Sequence, residues 1–318
     1  MRRGIGYRAA FWVLLSFWVL ATTNERLVAQ SIRVVTLNAE FLFDGRDGEG
    51  RATFPHKGDV VKAYKHLVDI GAVLREANGD VVMLAEIEHE GILDALIEGP
   101  LDGMGYRPYF VQGDDSFTGQ DMGLLSRFPM SSIGRTDERV AVGDRTRGVS
   151  KNLYGRFEVG DDAFTIIGVH FLARPDDTSR KPQREGQAEV IRRLVAEETA
   201  GGRHVIVAGD FNDFDGVVVD VNENTPITTV LETIKSAGDG PEDDLINVAA
   251  FMDPSQRYTA FWDRNRNGAI DAPDEYSSLD HILISKALES AIDTVYMIQS
   301  YNPMEVTDHF PVIVSFTP

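Results

Sequence analysis

At 318 residues, with 43% hydrophobic and 25% charged side chains, the chain can bury a substantial core and is too apolar for a largely disordered polymer. Its formal net charge of −19 argues against a nucleic-acid carrier that works by bulk charge, although local patches or bound cations leave a nuclease open. The absence of cysteine excludes disulfides and thiolate zinc sites.

The first thirty residues stand apart. Arg2, Arg3 and Arg8 precede an apolar run from Ala9 to Ala21 that only Ser16 interrupts. A basic start followed by a short apolar stretch predicts a secretory signal peptide over residues 1–30, hence export to a periplasm or to the exterior. The run of thirteen residues rises about 1.5 Å per residue, short of a hydrocarbon core about 30 Å thick, so no stable membrane span is expected. An uncleaved anchor is the alternative. Residues 1–30 hold four arginines and one glutamate, so the remaining chain carries −22.

From residue 31 onward, apolar patterning predicts a strand at Ile32–Leu37, a helix over Gly58–Asn78 and a buried-type strand at Val81–Ile87. Further strands are expected at Tyr106–Val111 and Met122–Ser126, and a hairpin pairs Leu153–Val159 with Phe164–Val169 around Gly160. A helix over Gln183–Thr199, a strand at Val205–Ala208 and a helix over Thr228–Ser236 follow. Strands at Leu279–Ile284, Thr294–Ile298 and Val312–Phe316 complete the chain, with acidic loops at 213–226 and 237–244. Strands follow strands more often than they alternate with helices. The expected fold is therefore α/β: two packed mixed β-sheets flanked by helices, a four-layer sandwich in one domain, residues 31–318.

The polar residues of interest stand at strand ends. Asn38 and Glu40 follow the first strand, Glu86 interrupts Val81–Ile87, and His170 ends Phe164–Val169. Asp210 and Asn212 follow Val205–Ala208, Asp280 opens Leu279–Ile284, and Asp308 with His309 precedes the last strand. A carboxylate inside an apolar strand is costly unless paired or bound to a metal. Taken singly, His170 could be a core histidine, Asp210 and Asn212 a turn, Asp308 a cap, and Glu86 an arginine partner. His56, His66, His89, His204 and His281 fit no role in this set.

Six blocks carry a resemblance: Leu37–Glu40, Leu84–Ile87, Gly168–His170, Gly209–Asn212, Leu279–Ile282 and Thr307–Val312. In this order they resemble the signature segments of the endonuclease/exonuclease/phosphatase superfamily, which includes DNase I, apurinic endonucleases, sphingomyelinases and inositol-polyphosphate phosphatases. Ala85 departs from the glutamine usual before the glutamate. The resemblance implies a DNase I-like fold and a metal-dependent phosphoric ester hydrolase. It implies that Glu86 is the principal ligand of Mg2+ or Mn2+, with Glu40 and Asp308 at or near the ion. Asp210 and His309 would orient and deprotonate water, Asp280 would hold the His309 tautomer, and Asn38, Asn212 and His170 would donate to phosphoryl oxygens. His170 is also a candidate acid for the leaving oxygen.

Two further patterns come from the residues themselves. Asp263, Asn265, Asn267, the Ala269 carbonyl, Asp271 and Asp274 fall at the ligand positions of an EF-hand-type loop, with Gly268 at the sharp turn, so Ca2+ is expected there. Its role would be structural, steadying the segment that delivers Asp280. Arg145, Arg147, Lys151 and Arg156, with Arg174, Arg180, Lys181 and Arg184, form basic clusters flanking His170. Arg147 and Lys181 are the expected phosphate-binding rim; a solvated face is the plain alternative. Tyr154 and Phe171 could stack a base or lipid, or pack in the core. The sequence favours an exported phosphodiesterase, most simply a nuclease, over a phosphatase or phosphodiesterase for small or lipid head-group phosphates. A non-catalytic, calcium-stabilised binding module is the third reading.

Overall fold

A computed structural model describes residue 1 and residues 30–318 apart from 47–49, 52 and 239. The signal-peptide assignment falls outside the described residues. Among the described residues, no helix is long and apolar enough to cross a membrane.

Two six-stranded sheets face each other. One runs, in spatial order, Ile292–Met297, Val312–Phe316, Ile32–Leu42, Val81–Ile87, Asp121–Ser126 and Arg107–Phe110. The other runs Leu245–Asn247, Asp280–Ser285, His204–Asp210, Asp162–His170, Asn152–Val159 and Ser132–Gly134. Each sheet has one parallel pair near its middle, Ile32–Leu42 with Val81–Ile87 and Asp162–His170 with His204–Asp210. The remaining pairings are antiparallel.

The near-continuous apolar runs have a direct cause: the central strands are covered on both faces. Val34, Met83, Ile166, Ile206, Ile282 and Val314 point into the space between the sheets. Their chain neighbours Val35, Val82 and Ile313 instead pack with Leu67, Ile70 and Leu74 of helix Val60–Ala77 and with Leu93 of helix Glu90–Glu98. On the opposite side, Ile167, Val207 and Leu283 meet Ala188 and Ile191 of helix Lys181–Ala200 and Ile234 of helix Val230–Lys235. The result is the four-layer, DNase I-like α/β sandwich. Each fully buried Val, Leu or Ile contributes about 1.5–3 kcal/mol. The sheets approach closely at Gly168, where an added Cβ would lie 2.3 Å from the Met83 sulfur.

Several elements depart from expectation. The first strand runs past Leu37 to Leu42: it stays in parallel register to Asn38, kinks at the left-handed Glu40 and Phe41, and pairs again at Leu42. Helix Glu90–Glu98 and the edge strands Ser132–Gly134 and Leu245–Asn247 lie where the apolar pattern gave no signal. The expected loop at 213–226 is held from within: Asp213 and Asp220 are buried and accept backbone N–H groups, among them Thr228 N, Asn222 N and Ser278 N.

Candidate active site

Register brings the polar strand ends to one edge of the sandwich. Asn38 lies beside Ala85, and His170 lies beside Asp210, at the C-terminal ends of the two parallel pairs. Asp280 opens an antiparallel strand directly opposite Asp210. Thr36 pairs with Val312, which places the preceding Asp308 and His309 at the same edge. Gly209 makes the delivery of Asp210 possible: at φ +143 a Cβ would fall 2.0 Å from the Val169 carbonyl oxygen.

Backbone strain is concentrated here. Glu40, Phe41, Glu86 and Asn212 all have left-handed φ, between 48 and 64°. Non-glycine residues hold such conformations at about 1–3 kcal/mol each, and only where surroundings over-determine them. The surroundings do so. Phe41 N donates to Glu86 Oε2 at 2.9 Å, Asp308 N donates to Glu40 Oε2 at 3.0 Å, and Glu40 N donates to Asn38 Oδ1 at 3.0 Å. Asn38 Nδ2 donates to Glu86 Oε1 at 3.1 Å and to Asp210 Oδ2 at 3.2 Å.

Charge is crowded as well as strained. Burial first, and then Asp308, pushes the Glu40 carboxyl up to about 8. Burial likewise raises Glu86. Burial and then Asp280 push Asp210 up to about 7. Opposite this group, His309 Nδ1 donates to Asp280 Oδ2 at 2.6 Å. Burial disfavours the charged ring, yet Asp280 and Asp308 outweigh it and hold His309 well above its ordinary value. The ligand atoms of Asp210, Asp280 and His309 lie within 4.8 Å of one another, a spacing that could also suit a cation. The short bond commits Nδ1 to Asp280, and Nε2 lies 3.7 Å from Asp308 Oδ1.

The two expected amide and imidazole donors are differently placed. Asn212 Nδ2 is engaged by the Phe171 carbonyl at 3.2 Å, and Asn212 N caps Asp210 Oδ1 at 2.8 Å, so this residue braces Asp210. His170 Nε2 lies 3.7 Å from Asp210 and 3.8 Å from Glu86. Burial, then Lys151, holds His170 well below its ordinary value, which favours the neutral ring.

Lys151 lies in the interior rather than on a basic face. Its sequence neighbours Arg145, Arg147 and Arg156 make it part of a basic cluster, yet it is 7% exposed. Its Nζ lies 3.1 Å from Gln120 Oε1, 3.4 Å from His170 Nε2 and 3.7 Å from Asp115 Oδ2. Its one sequence signal is position: it directly precedes a strand that pairs with the His170 strand. The rest of the belt divides. Arg156 is bound by Glu198, and Arg184 is fully buried, donating to the carbonyls of Leu172, Arg174 and Pro175 that follow His170. Phe171 is core. Arg147 lines a polar hollow of about 250 Å³ with Arg135 and Arg139, and Lys181 is exposed, 3.7 Å from Glu185.

Next to His309 and Asp308 opens a cleft of about 610 Å³, walled by Arg174, Phe214, Phe261, Trp262, Arg264 and Leu279. Trp262 leads into the loop 263–274. Within it Gly268 has φ +71, Asn265 and Asn267 Nδ2 donate to Asp271 Oδ2 at 2.6 and 2.8 Å, and Ala269 N donates to Asn267 Oδ1. Asp263 accepts from Asn267 N and Gly268 N. Asp274 is exposed and outside these bonds. The neighbouring Glu275 is buried and accepts from Arg264 N and Asp271 N at 2.8 and 3.2 Å, making it the carboxylate that faces the loop. The loop's stems join the Asp308–Phe310 segment directly: Phe261 N donates to Asp308 O at 2.8 Å and Phe310 N to Thr259 O at 2.7 Å.

Comparison with known proteins agrees with this geometry. Solved structures of similar fold include the 3′ phosphatase NExo from Neisseria bound to a product DNA hairpin: TM-score 0.60, 16% identity, 90% of this chain and 99% of that one. Truncated TDP2 from Caenorhabditis elegans has TM-score 0.57 and 14% identity over 91% of this chain and 98% of its own. An AP endonuclease from Archaeoglobus fulgidus has TM-score 0.59 and 14% identity over 90% and 100%. No curated protein sequence matches the chain. The sequence profile of the Endonuclease/Exonuclease/phosphatase family matches residues 35–309, and the chain belongs to that family.

Proposed function

We propose that the chain is an exported phosphoesterase that hydrolyses phosphodiester bonds with a divalent cation, Mg2+ or Mn2+, and that nucleic acid is its favoured substrate. One observation carries this reading. A single nitrogen, Asn38 Nδ2, donates to both Glu86 and Asp210, and so ties a cation-type carboxylate cluster to a proton-accepting one. The nuclease and DNA-phosphatase names among proteins of the same fold support the substrate class.

Glu86, with Glu40 and Asp308 beside it, would hold the cation: burial first, and then neighbouring carboxylates, raises all three, and a bound cation would offset that cost. A bound cation there polarises phosphoryl oxygens and offsets charge gathered in the transition state. The buried charges divide the roles that the motifs had shared. Asp210, poised near 7, accepts the proton as water adds to phosphorus and the ester P–O bond breaks. His309, charged and fixed by Asp280, donates from Nε2 to the oxygen that gains negative charge. Lys151 adds a buried ammonium on the His170 side.

The test is a panel run with Mg2+: single-stranded and duplex DNA, a sphingomyelin-type lipid and an inositol phosphate. Turnover on DNA is expected. A small or lipid head-group substrate is the second reading, favoured by the −22 charge of residues 31–318 and by Phe214, Phe261 and Trp262 in the cleft wall. Turnover confined to those arms would replace nuclease with that activity, and a binding module would turn over nothing.

The loop 263–274 is proposed to take Ca2+, since Asp263, Asn265, Asn267, Asp271 and the adjoining Glu275 supply only oxygen. Its stems bond to Asp308 and Phe310, so calcium removal by a selective chelator in excess Mg2+ is expected to lower the melting temperature and kcat together. Both values unchanged would remove the ion from this account.

A further inference from the structure

The first strand kinks after Asn38. Between Asn38 and Leu42 the first strand shifts register against Val81–Ile87, and its pairing with Val312–Phe316 ends at Thr36. The carbonyls of Ala39 and Glu40 therefore lie outside both ladders. Buried carbonyls without a donor cost about 1–3 kcal/mol each. Here the donor is a side chain from the covering helix. His66, 6% exposed in Val60–Ala77, places Nε2 2.8 Å from Ala39 O and 3.1 Å from Glu40 O. Both partners can only accept, so Nε2 carries the hydrogen.

What this bond fixes is specific. Glu40 and Phe41, at φ 48 and 54, form two successive left-handed residues. That turn aims the Glu40 carboxylate at Asp308 N and the Phe41 N–H at Glu86 Oε2. Without the clamp, Glu40 would be held only by Asn38 Oδ1 and Asp308 N, and the Phe41 N–H that joins Asn38 Nδ2 in orienting Glu86 would be held less tightly. The Asp280–His309 pair has no bond to this turn.

We infer that His66 is a positioning residue for the cation half of the site: it locks the strained turn at Glu40–Phe41 and thereby presets the Glu86 carboxylate. This rests on the proposed cation site at Glu86. Groups that hold ligands in place typically change metal affinity by about 10–100-fold when removed.

The experiment titrates Mn2+ into the whole metal-free protein by calorimetry, with no substrate present. His66→Leu, which has no donor, is expected to weaken Mn2+ binding at least about tenfold. His66→Gln, which offers an N–H at similar reach, is expected to restore most of it. A packing lesion on the same helix, Leu67→Ala, is expected to lower the melting temperature and leave Mn2+ affinity unchanged. Should His66→Leu fail to fold, His66→Asn, whose donor is too short to reach both carbonyls, takes its place. Mn2+ affinity equal to the parent in the variant that folds overturns the role of His66 alone. A parent protein that takes up no Mn2+ overturns the cation reading, and this inference with it.

Discussion

Replacement of Asp210 by Asn is expected to lower kcat by about 10²–10⁴-fold, the range a general base supplies, with KM little changed. Asp210 is buried, capped by Asn212 N, and held by Asn38 Nδ2, so the amide fits the same space. The pH profile gives the sharper readout. A base at about 7 must be ionised to accept a proton, so the parent rate should rise with pH up to that region and then level. A bound cation, which favours the carboxylate, moves this limb to lower pH. The raised His309 places a falling limb on the alkaline side, where the ring loses its proton. Asp210→Asn should lose the rising limb and keep the falling one. A variant that retained both limbs at parental rate would remove Asp210 as the base.

The second large effect belongs to Glu86. Glu86→Gln keeps shape and an acceptor for Phe41 N but deletes the charge. Loss of activity by at least two orders of magnitude is expected, on the order of a lost principal metal contact, together with loss of the melting-temperature rise that Mg2+ gives the parent. That rise should itself depend on pH. Glu40 and Asp210 have folded-state values raised to about 8 and about 7. Their contribution to stability is full below the unfolded carboxylate range near 4 and is lost as pH climbs toward 8. The metal-free protein should therefore melt lower at pH 8 than at pH 5.5, with Mg2+ restoring more at the higher pH. A Mg2+ effect equal at both values, measured by differential scanning calorimetry, would contradict the carboxylate cluster.

Much of this was legible because strand ends have a limited vocabulary. An acid such as Glu86 in Val-Val-Met-Leu-Ala-Glu-Ile has few reasons to be there, and Asp210 and Asp280 likewise stood out against apolar runs. The two-sided burial of the central strands was also readable, from runs too continuous to have a wet face. What the sequence concealed was set by long-range register. Lys151 looked like a member of a surface belt because nothing local distinguishes a buried lysine from an exposed one. Arg184 misled in the same way, although its guanidinium is spent on three carbonyls. Helix Glu90–Glu98 is too short for its three buried positions to give a firm period. His66 had no motif to mark it, because its partners are main-chain atoms of a turn whose left-handed geometry is invisible in Ala-Glu-Phe. Glu275 stands one residue beyond the position that the loop pattern assigns to its last ligand.

The pairing of Ile32 with Phe316 joins the opening strand of the sandwich to its closing one. The five residues Val312–Phe316 are thus wedged between Ile292–Met297 and Ile32–Leu42 rather than added at a rim. A chain in which this strand has not paired lacks that wedge, and with it the seat of His309. Deleting Val312–Phe316 is therefore expected to remove the support of His309 and to abolish activity as completely as a lesion at the centre of the site.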